Sequence, residues 1–317
     1  MPLPVVQDQP IVLLAGATGY VGARLTPLLE QEAIQLRCLV RNPEKLRCQV
    51  KETTEIVQGD VLDVPSLDRS LQGVDTAFYL VHLMSGTMDF EKEDRRAAKN
   101  FAGAAGRAGL RRIIYLGGLG DDSDPHLSPH LRSRHEVGQI LRESSVETIE
   151  FRASAVIGAG SLSFELVKAL TDRLPVMICP RWLATHTQPI AIDDVLAYLL
   201  AAREFPDGGS RLFEIGGADR VTYGGMIREY ARQNGLRRWL IPVPLLTPYL
   251  SGLWLALVTP AKFEIGQHLI EGLRNPTVVR DTNALEGFPI RPMGIHQAIE
   301  KAMASHEVGR AKQTKIM

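Results

Sequence analysis

An apolar run near the start of the chain, Ile11-Val12-Leu13-Leu14-Ala15, breaks into Gly16-Ala17-Thr18-Gly19-Tyr20-Val21-Gly22, three glycines set three residues apart. The run reads as a buried strand, and Val21, Leu25, Leu28 and Leu29 beyond it recur at helical spacing. The glycines therefore fall in a strand-to-helix turn. Gly16 permits a sharp departure from the strand, Gly19 withholds a Cβ where backbone N–H groups would approach an anion, and Gly22 lets the helix pack closely on the sheet. Unpaired N–H groups and the positive end of the helix dipole supply the attraction. Glycine turns also join strands to helices without any ligand, but the clean strand and amphipathic helix favour a pyrophosphate cradle. Its predicted members are Gly16, Thr18, Gly19, Tyr20, Val21 and Gly22.

Strand and helix signals then alternate. Strands are predicted at 11–15, 36–40, 55–58, 76–81, 112–116 and 147–151, with helices near 20–30, 65–71, 90–107 and 130–143. The pattern predicts an α/β fold, a doubly wound parallel sheet of the Rossmann type with a smaller C-terminal substrate region. The dinucleotide-binding domain is expected over 1–157 and the substrate or lid region over 158–317, with about 188–217 returning to the sheet through a strand at Arg211–Ile215. Asp193 is read as a helix N-cap, Pro27 falls inside the first helix as a tolerated kink, and the tail from Ser305 is expected to fray.

Lys plus Arg equals Asp plus Glu at 36 each, which argues against nucleic acid as the main partner. The three cysteines, Cys38, Cys48 and Cys179, are too scattered for a disulfide framework, and the first ten residues lack a signal-peptide pattern, so a cytoplasmic protein is expected. The segment 240–261 carries no charge and is about long enough to span a bilayer. Pro242, Pro244, Pro248 and Pro260 break it, so an apolar lid is expected in place of a transmembrane span, with peripheral membrane contact as its other use. His126, His130 and His135 share one window, but prolines separate them and their spacing fits no zinc pattern, so no metal is predicted.

The end of the second strand discriminates between cofactors. NAD-binding folds place an acid there for the ribose 2′-hydroxyl, whereas this chain has Val40-Arg41-Asn42, with Arg37 and Lys45 nearby. Arg41 predicts a 2′-phosphate and hence NADP(H), with NAD(H) the alternative; a merely solvated Arg41 is the plainer reading. Asp60, before Val61, is placed to accept from the adenine amino group or to satisfy its own turn. Val81, at the end of strand four, is expected to line the cofactor cleft.

The turn at 16–22, the Gly59-Asp60-Val61 segment, Ile113-Ile114-Tyr115-Leu116-Gly117-Gly118 and Phe151-Arg152-Ala153-Ser154-Ala155-Val156-Ile157-Gly158 together resemble the extended and atypical short-chain dehydrogenase/reductases, most of all NmrA-like NAD(P)-binding proteins. The resemblance is specific over 10–160 and looser to about 217. It implies a serine after strand five and a Tyr-x-x-x-Lys on the next helix, and none of the three is present. Gly118 stands at the serine position, His130 at the tyrosine and Arg134 at the lysine. Two expectations follow. Either the protein is a reductase for an apolar carbonyl or enone, with His130 as general acid and Arg134 bonding the nicotinamide ribose, or it holds NAD(P)(H) without turnover as a redox sensor, scaffold or assembly factor.

Overall fold

The computed structural model describes residues 9–83, 89–243 and 273–314. Seven parallel strands form one sheet: β1 (Ile11–Ala15), β2 (Gln35–Val40), β3 (Glu55–Gln58), β4 (Val74–Tyr79), β5 (Arg112–Gly118), β6 (Glu147–Ala153) and β7 (Arg211–Ile215). Their spatial order is β3-β2-β1-β4-β5-β6-β7, the doubly wound Rossmann arrangement, whose direction of winding reverses between β1 and β4. The six strands read from apolar runs are present, with ends moved by one or two residues. Arg211–Ile215 joins the sheet beside β6, in register from Arg211 opposite Ile149 to Ile215 opposite Ala153.

Helices α1 (Tyr20–Leu29), α2 (Glu44–Arg47), α3 (Val64–Ser70), α4 (Phe90–Ala108), α5 (Pro129–Arg142), α6 (Leu162–Arg173), α7 (Ile192–Ala201) and α8 (Tyr223–Gln233) surround it. Alternation along β1 feeds two cores. Val12 and Leu14 join Leu25 and Leu29 of α1 with Val195 and Leu199 of α7. Leu13 and Ala15 join Leu67 of α3, Phe101 of α4 and Leu141 of α5. The alanines of α4 give close contact on the second face, and the helix stops at Gly109, whose φ of 69° is a left-handed cap. Phe288 plugs the β6–β7 edge, its ring centroid 5.4 Å from Phe151, 5.2 Å from Phe213 and 4.9 Å from Phe205.

Beyond β6 a third core gathers Phe164, Met177, Trp182, Tyr223, Tyr230 and Ile299. Short strand pairs brace this region, including the parallel pair Val176–Cys179 with Trp239–Pro242. Two local expectations, the Asp193 cap and the fraying tail, need correction. Asp193 does not cap α7: Ala191 occupies that position, Asp193 lies in the first turn and holds Lys301 at 3.1 Å, and Asp194 accepts the Met293 N–H at 2.8 Å. The tail does not fray at Ser305, because one helix runs over Ile295–Thr314. Pro27 sits inside α1 without ending it; the helix closes two residues later, so only its last turn lacks a donor. The expected lid at 240–261 lies outside the described residues beyond Val243. Among the described residues no helix is long and apolar enough to cross a membrane.

Candidate cofactor cleft and proton-transfer site

The glycine turn is tighter than its pattern requires. Gly16 has φ +99°, and a Cβ there would stand 2.7 Å from the Leu80 carbonyl oxygen, because Leu80 follows β4 and donates its N–H to Ala15 at 2.9 Å. The Gly19 N–H closes the turn on the Gly16 oxygen at 2.9 Å. That same oxygen lies 2.2 Å from where a Gly22 Cβ would be. Gly22 thus makes room for the turn itself, where helix-to-sheet contact was the expected reason. The outcome is a groove at the switch point, with Gly16, Thr18 and Gly19 facing Leu39, Val40 and Arg41 at the end of β2, Gly59, Asp60 and Val61 after β3, and Val81, His82 and Leu83 after β4. A Cβ at position 19 would press on the Gly16 oxygen at 3.2 Å, so both glycines are needed by the turn, and the positive end of α1 opens onto the groove.

The other predicted contacts divide. Arg41 is exposed at the groove's lip, and no acid shares that strand end. Arg37 does not reinforce it: about 13 Å away along the strand, it bonds Glu55 at 2.7 Å and the carbonyls of Ser70 and Gln72. Asp60 lines the groove while one of its oxygens accepts the Leu62 N–H at 2.9 Å, so it serves its own turn as well. Tyr20 turns from the groove. Its ring lies under the Arg24 guanidinium at 3.9 Å and its hydroxyl fills the space a Cβ of Gly158 would need. Neither Tyr20 nor Val21 lines the groove; both pack against the core beneath it.

Where the resemblance implies a serine, the structure explains what the chain lacks. A side chain at Gly118 would begin 2.8 Å from Leu131 Cδ2, so α5 packs where the superfamily's serine would stand. Arg134 donates to the Leu116 carbonyl and lies 5.5 Å from the Tyr115 ring; it does not line the groove. His135 leaves its neighbours, with Nε2 on the Gly118 carbonyl at 2.9 Å and Nδ1 facing Asp122. His130 sits half-buried in the first turn of α5. Ser128 caps that turn through the Leu131 N–H, and Asn275 accepts the Ser128 N–H at 3.0 Å.

His82, with Asp94 and Ser133 behind it, is brought by the fold against His130. The Nδ1 of His130 lies 3.1 Å from Nε2 of His82, whose Nδ1 lies 3.1 Å from Asp94 Oδ2. Asp94 also accepts the Leu83 N–H at 3.0 Å and the Ser133 hydroxyl at 2.8 Å. Burial pushes the Asp94 carboxyl up, but the His82 bond and charge, the Leu83 N–H and the Ser133 hydroxyl outweigh it and hold it below the usual carboxylate range. Burial moves His82 the other way, and the Arg134 cation adds to the fall, so its imidazole titrates below its ordinary value despite Asp94. One sequence signal pointed here: Asp94 stands three residues before Ala97 on the stripe of α4 that faces the sheet, where a lone aspartate needs a partner.

Residues 16–156 match the model of a family described as NAD(P)H-binding. The chain is 27% identical over 292 residues, 89% of its length and 95% of the relative's, to a (4-alkanoyl-5-oxo-2,5-dihydrofuran-3-yl)methyl phosphate reductase of Streptomyces griseus. It is 27% identical over 269 residues, 81% of its length and 82% of the relative's, to a ceramide reductase of Caulobacter vibrioides. A Citrobacter sp. triphenylmethane reductase complexed with NADP(H) superposes with a TM-score of 0.72 at 16% identity, over 92% of this chain and 99% of that one. Taken with the sheet order and the glycine turn, these matches give residues 16–156 as an NAD(P)H-binding domain of Rossmann fold and agree with the resemblance to the extended and atypical short-chain dehydrogenase/reductases.

Proposed function

We propose that the protein is an NADP(H)-dependent reductase of the atypical, NmrA-like type that acts on an apolar carbonyl or enone. The observation that carries the cofactor preference is Arg41, exposed at the lip of the groove with no carboxylate sharing the end of β2. Gly16, Thr18, Gly19 and the first N–H groups of α1 would hold the pyrophosphate, and Asp60, Val61 and Val81 the adenosine and nicotinamide sides. Arg134 keeps its predicted place beside the ribose only by leaving the Leu116 carbonyl.

The preference for an apolar substrate draws support from a second cavity of about 470 Å³. Pro180, Leu183, Ala184, Leu240 and Val243 line it with few polar partners, Thr222, Arg181 and Arg228 among them. A curated relative that reduces a ceramide agrees with that character. The test is a fluorescence titration with NADPH and NADH, followed by absorbance at the reduced-nicotinamide band across long-chain ketones, steroid ketones, enones and quinones. Tighter binding of NADPH with turnover of at least one apolar class is expected. Tight NADPH binding with no turnover in any class would leave a cofactor-gated binding protein in its place.

A further inference from the structure

We propose that Asp94, acting through His82, sets the tautomer of His130 and so makes Nε2 of His130 the proton-carrying atom of the site. This rests on the reductase reading and adds the residues that take over from the missing serine, tyrosine and lysine. The direction of the chain follows from counting donors and acceptors. Asp94, held as a carboxylate by three hydrogen bonds, can only accept. Nδ1 of His82 must then carry the hydrogen between them. A neutral imidazole protonated on Nδ1 presents a lone pair at Nε2, and that lone pair faces Nδ1 of His130. Nδ1 of His130 must therefore donate in turn. Its lone pair then falls on Nε2. Reversing any one bond would set two hydrogens or two lone pairs against each other.

The chain is also well placed. His82 lines the cofactor groove with 16% of its side chain exposed, and Asp94 behind it has 4%. His130 stands half-buried at the capped start of α5, at the position the superfamily gives its tyrosine. A proton taken up at Nε2 leaves a cation that faces a carboxylate through one imidazole. A bound reduced nicotinamide would supply a hydride to the carbonyl carbon; as the C=O π pair moves to oxygen, His130 would give that oxygen its Nε2 proton, and alcohol and oxidised cofactor would be released. Neutral His130 then regains a proton from water. On this account His130 is the catalytic residue, and His82 and Asp94 are positioning residues.

The test reads tautomers directly, by long-range ¹H–¹⁵N spectra of the histidine rings in the ¹⁵N-labelled full chain at pH 8, with signals assigned by H82F and H130Q. In the wild type both His82 and His130 are expected as Nδ1–H. Asp94→Asn, whose amide can donate to His82 Nδ1, should move both to Nε2–H. Should that variant not fold, H82F serves, because His130 then loses its acceptor and should revert to Nε2–H. NADP⁺ should shift these two rings more than the other histidines. H130Q should lower turnover about 100-fold or more while leaving NADPH affinity unchanged. Nε2–H tautomers in the wild type, tautomers indifferent to both variants, or rings unmoved by saturating NADP⁺ would overturn the relay. Failure of NADPH to bind in a separate fluorescence titration would overturn the reductase reading and leave the tautomer result standing.

Discussion

Replacing Gly22 by alanine adds one methyl group to the first turn of α1, in a place where no side chain can swing aside. Its Cβ would lie 2.2 Å from the Gly16 oxygen, 2.8 Å from the Gly16 carbonyl carbon and 3.0 Å from Ala17 Cα, all backbone. An ordinary contact of 3.4 Å requires the helix start and the turn to part by about 1.2 Å. Overpacking of this kind costs about 1–3 kcal/mol of stability. The effect on the cofactor is larger, because the Gly16 oxygen also closes the turn with Gly19, so the N–H groups meant for phosphate move with it. Losing about two charge-assisted hydrogen bonds, at roughly 1.5–3 kcal/mol each, weakens NADPH binding by about 100-fold or more. Fluorescence titration gives the affinity and a thermal melt the stability. Gly109→Ala is the control, since Gly109 has φ +69° and no atom within 4 Å of its missing Cβ. It should lose about 1–2 kcal/mol of stability with no change in NADPH affinity. If Gly22→Ala binds NADPH as the wild type does, the turn does not form the cradle and the reasoning fails.

Arg41→Ala should weaken NADPH by about 10- to 100-fold, the loss of a charge-assisted phosphate contact of about 1.5–3 kcal/mol, and leave NADH nearly untouched; equal wild-type affinities for the two would refute the 2′-phosphate role. Phe288→Ala empties the centre of four aromatic contacts and should cost about 3–5 kcal/mol in urea unfolding, with a loss under 1 kcal/mol showing that the β6–β7 edge is closed by something else. Glu229 is held at about 2 by the Arg232 guanidinium, with Gln233 and His296 adding to it against burial. Its folded value is depressed, so its stabilisation is present above the ordinary 4.5 and is lost as pH falls toward 2. The difference in Tm between wild type and Glu229→Gln should therefore shrink across that window; a difference constant with pH would contradict the assignment.

The parallel sheet was legible because each strand is a short apolar run bounded by a helix pattern, and the pattern survives without tertiary information. The glycine turn was legible for the same reason, although Gly22 serves the turn where its spacing suggested the sheet. Harder to read were features that depend on distant partners. Arg37 and Arg41 look alike in sequence, yet Glu55 and two carbonyls take Arg37 out of the cofactor's reach. His82 and His130 are 48 residues apart and Asp94 sits on a third element, so only the fold brings them within hydrogen-bond distance. The capping position of α7 was misread because Asp193 and Asp194 look like caps, while their carboxylates are engaged by Lys301 and Met293 instead.

Arg112, at the start of β5, is fully buried. Glu147 meets part of its charge, but Asp207 and the carbonyls of Ala202, Arg203 and Phe205 complete the set. Asp207 lies 95 residues further along the chain. During synthesis at about 5–20 residues per second, this guanidinium waits on the order of 5–20 s for its last partners. Through that interval β6 has no β7 on its outer edge, and a nascent chain holding the first six strands carries both an open strand edge and an incompletely neutralised cation. Birth order therefore leaves the outer edge of the sheet open until β7 and then Phe288 are made, and the stretch of translation after Arg112 is one in which this chain needs protection from aggregation.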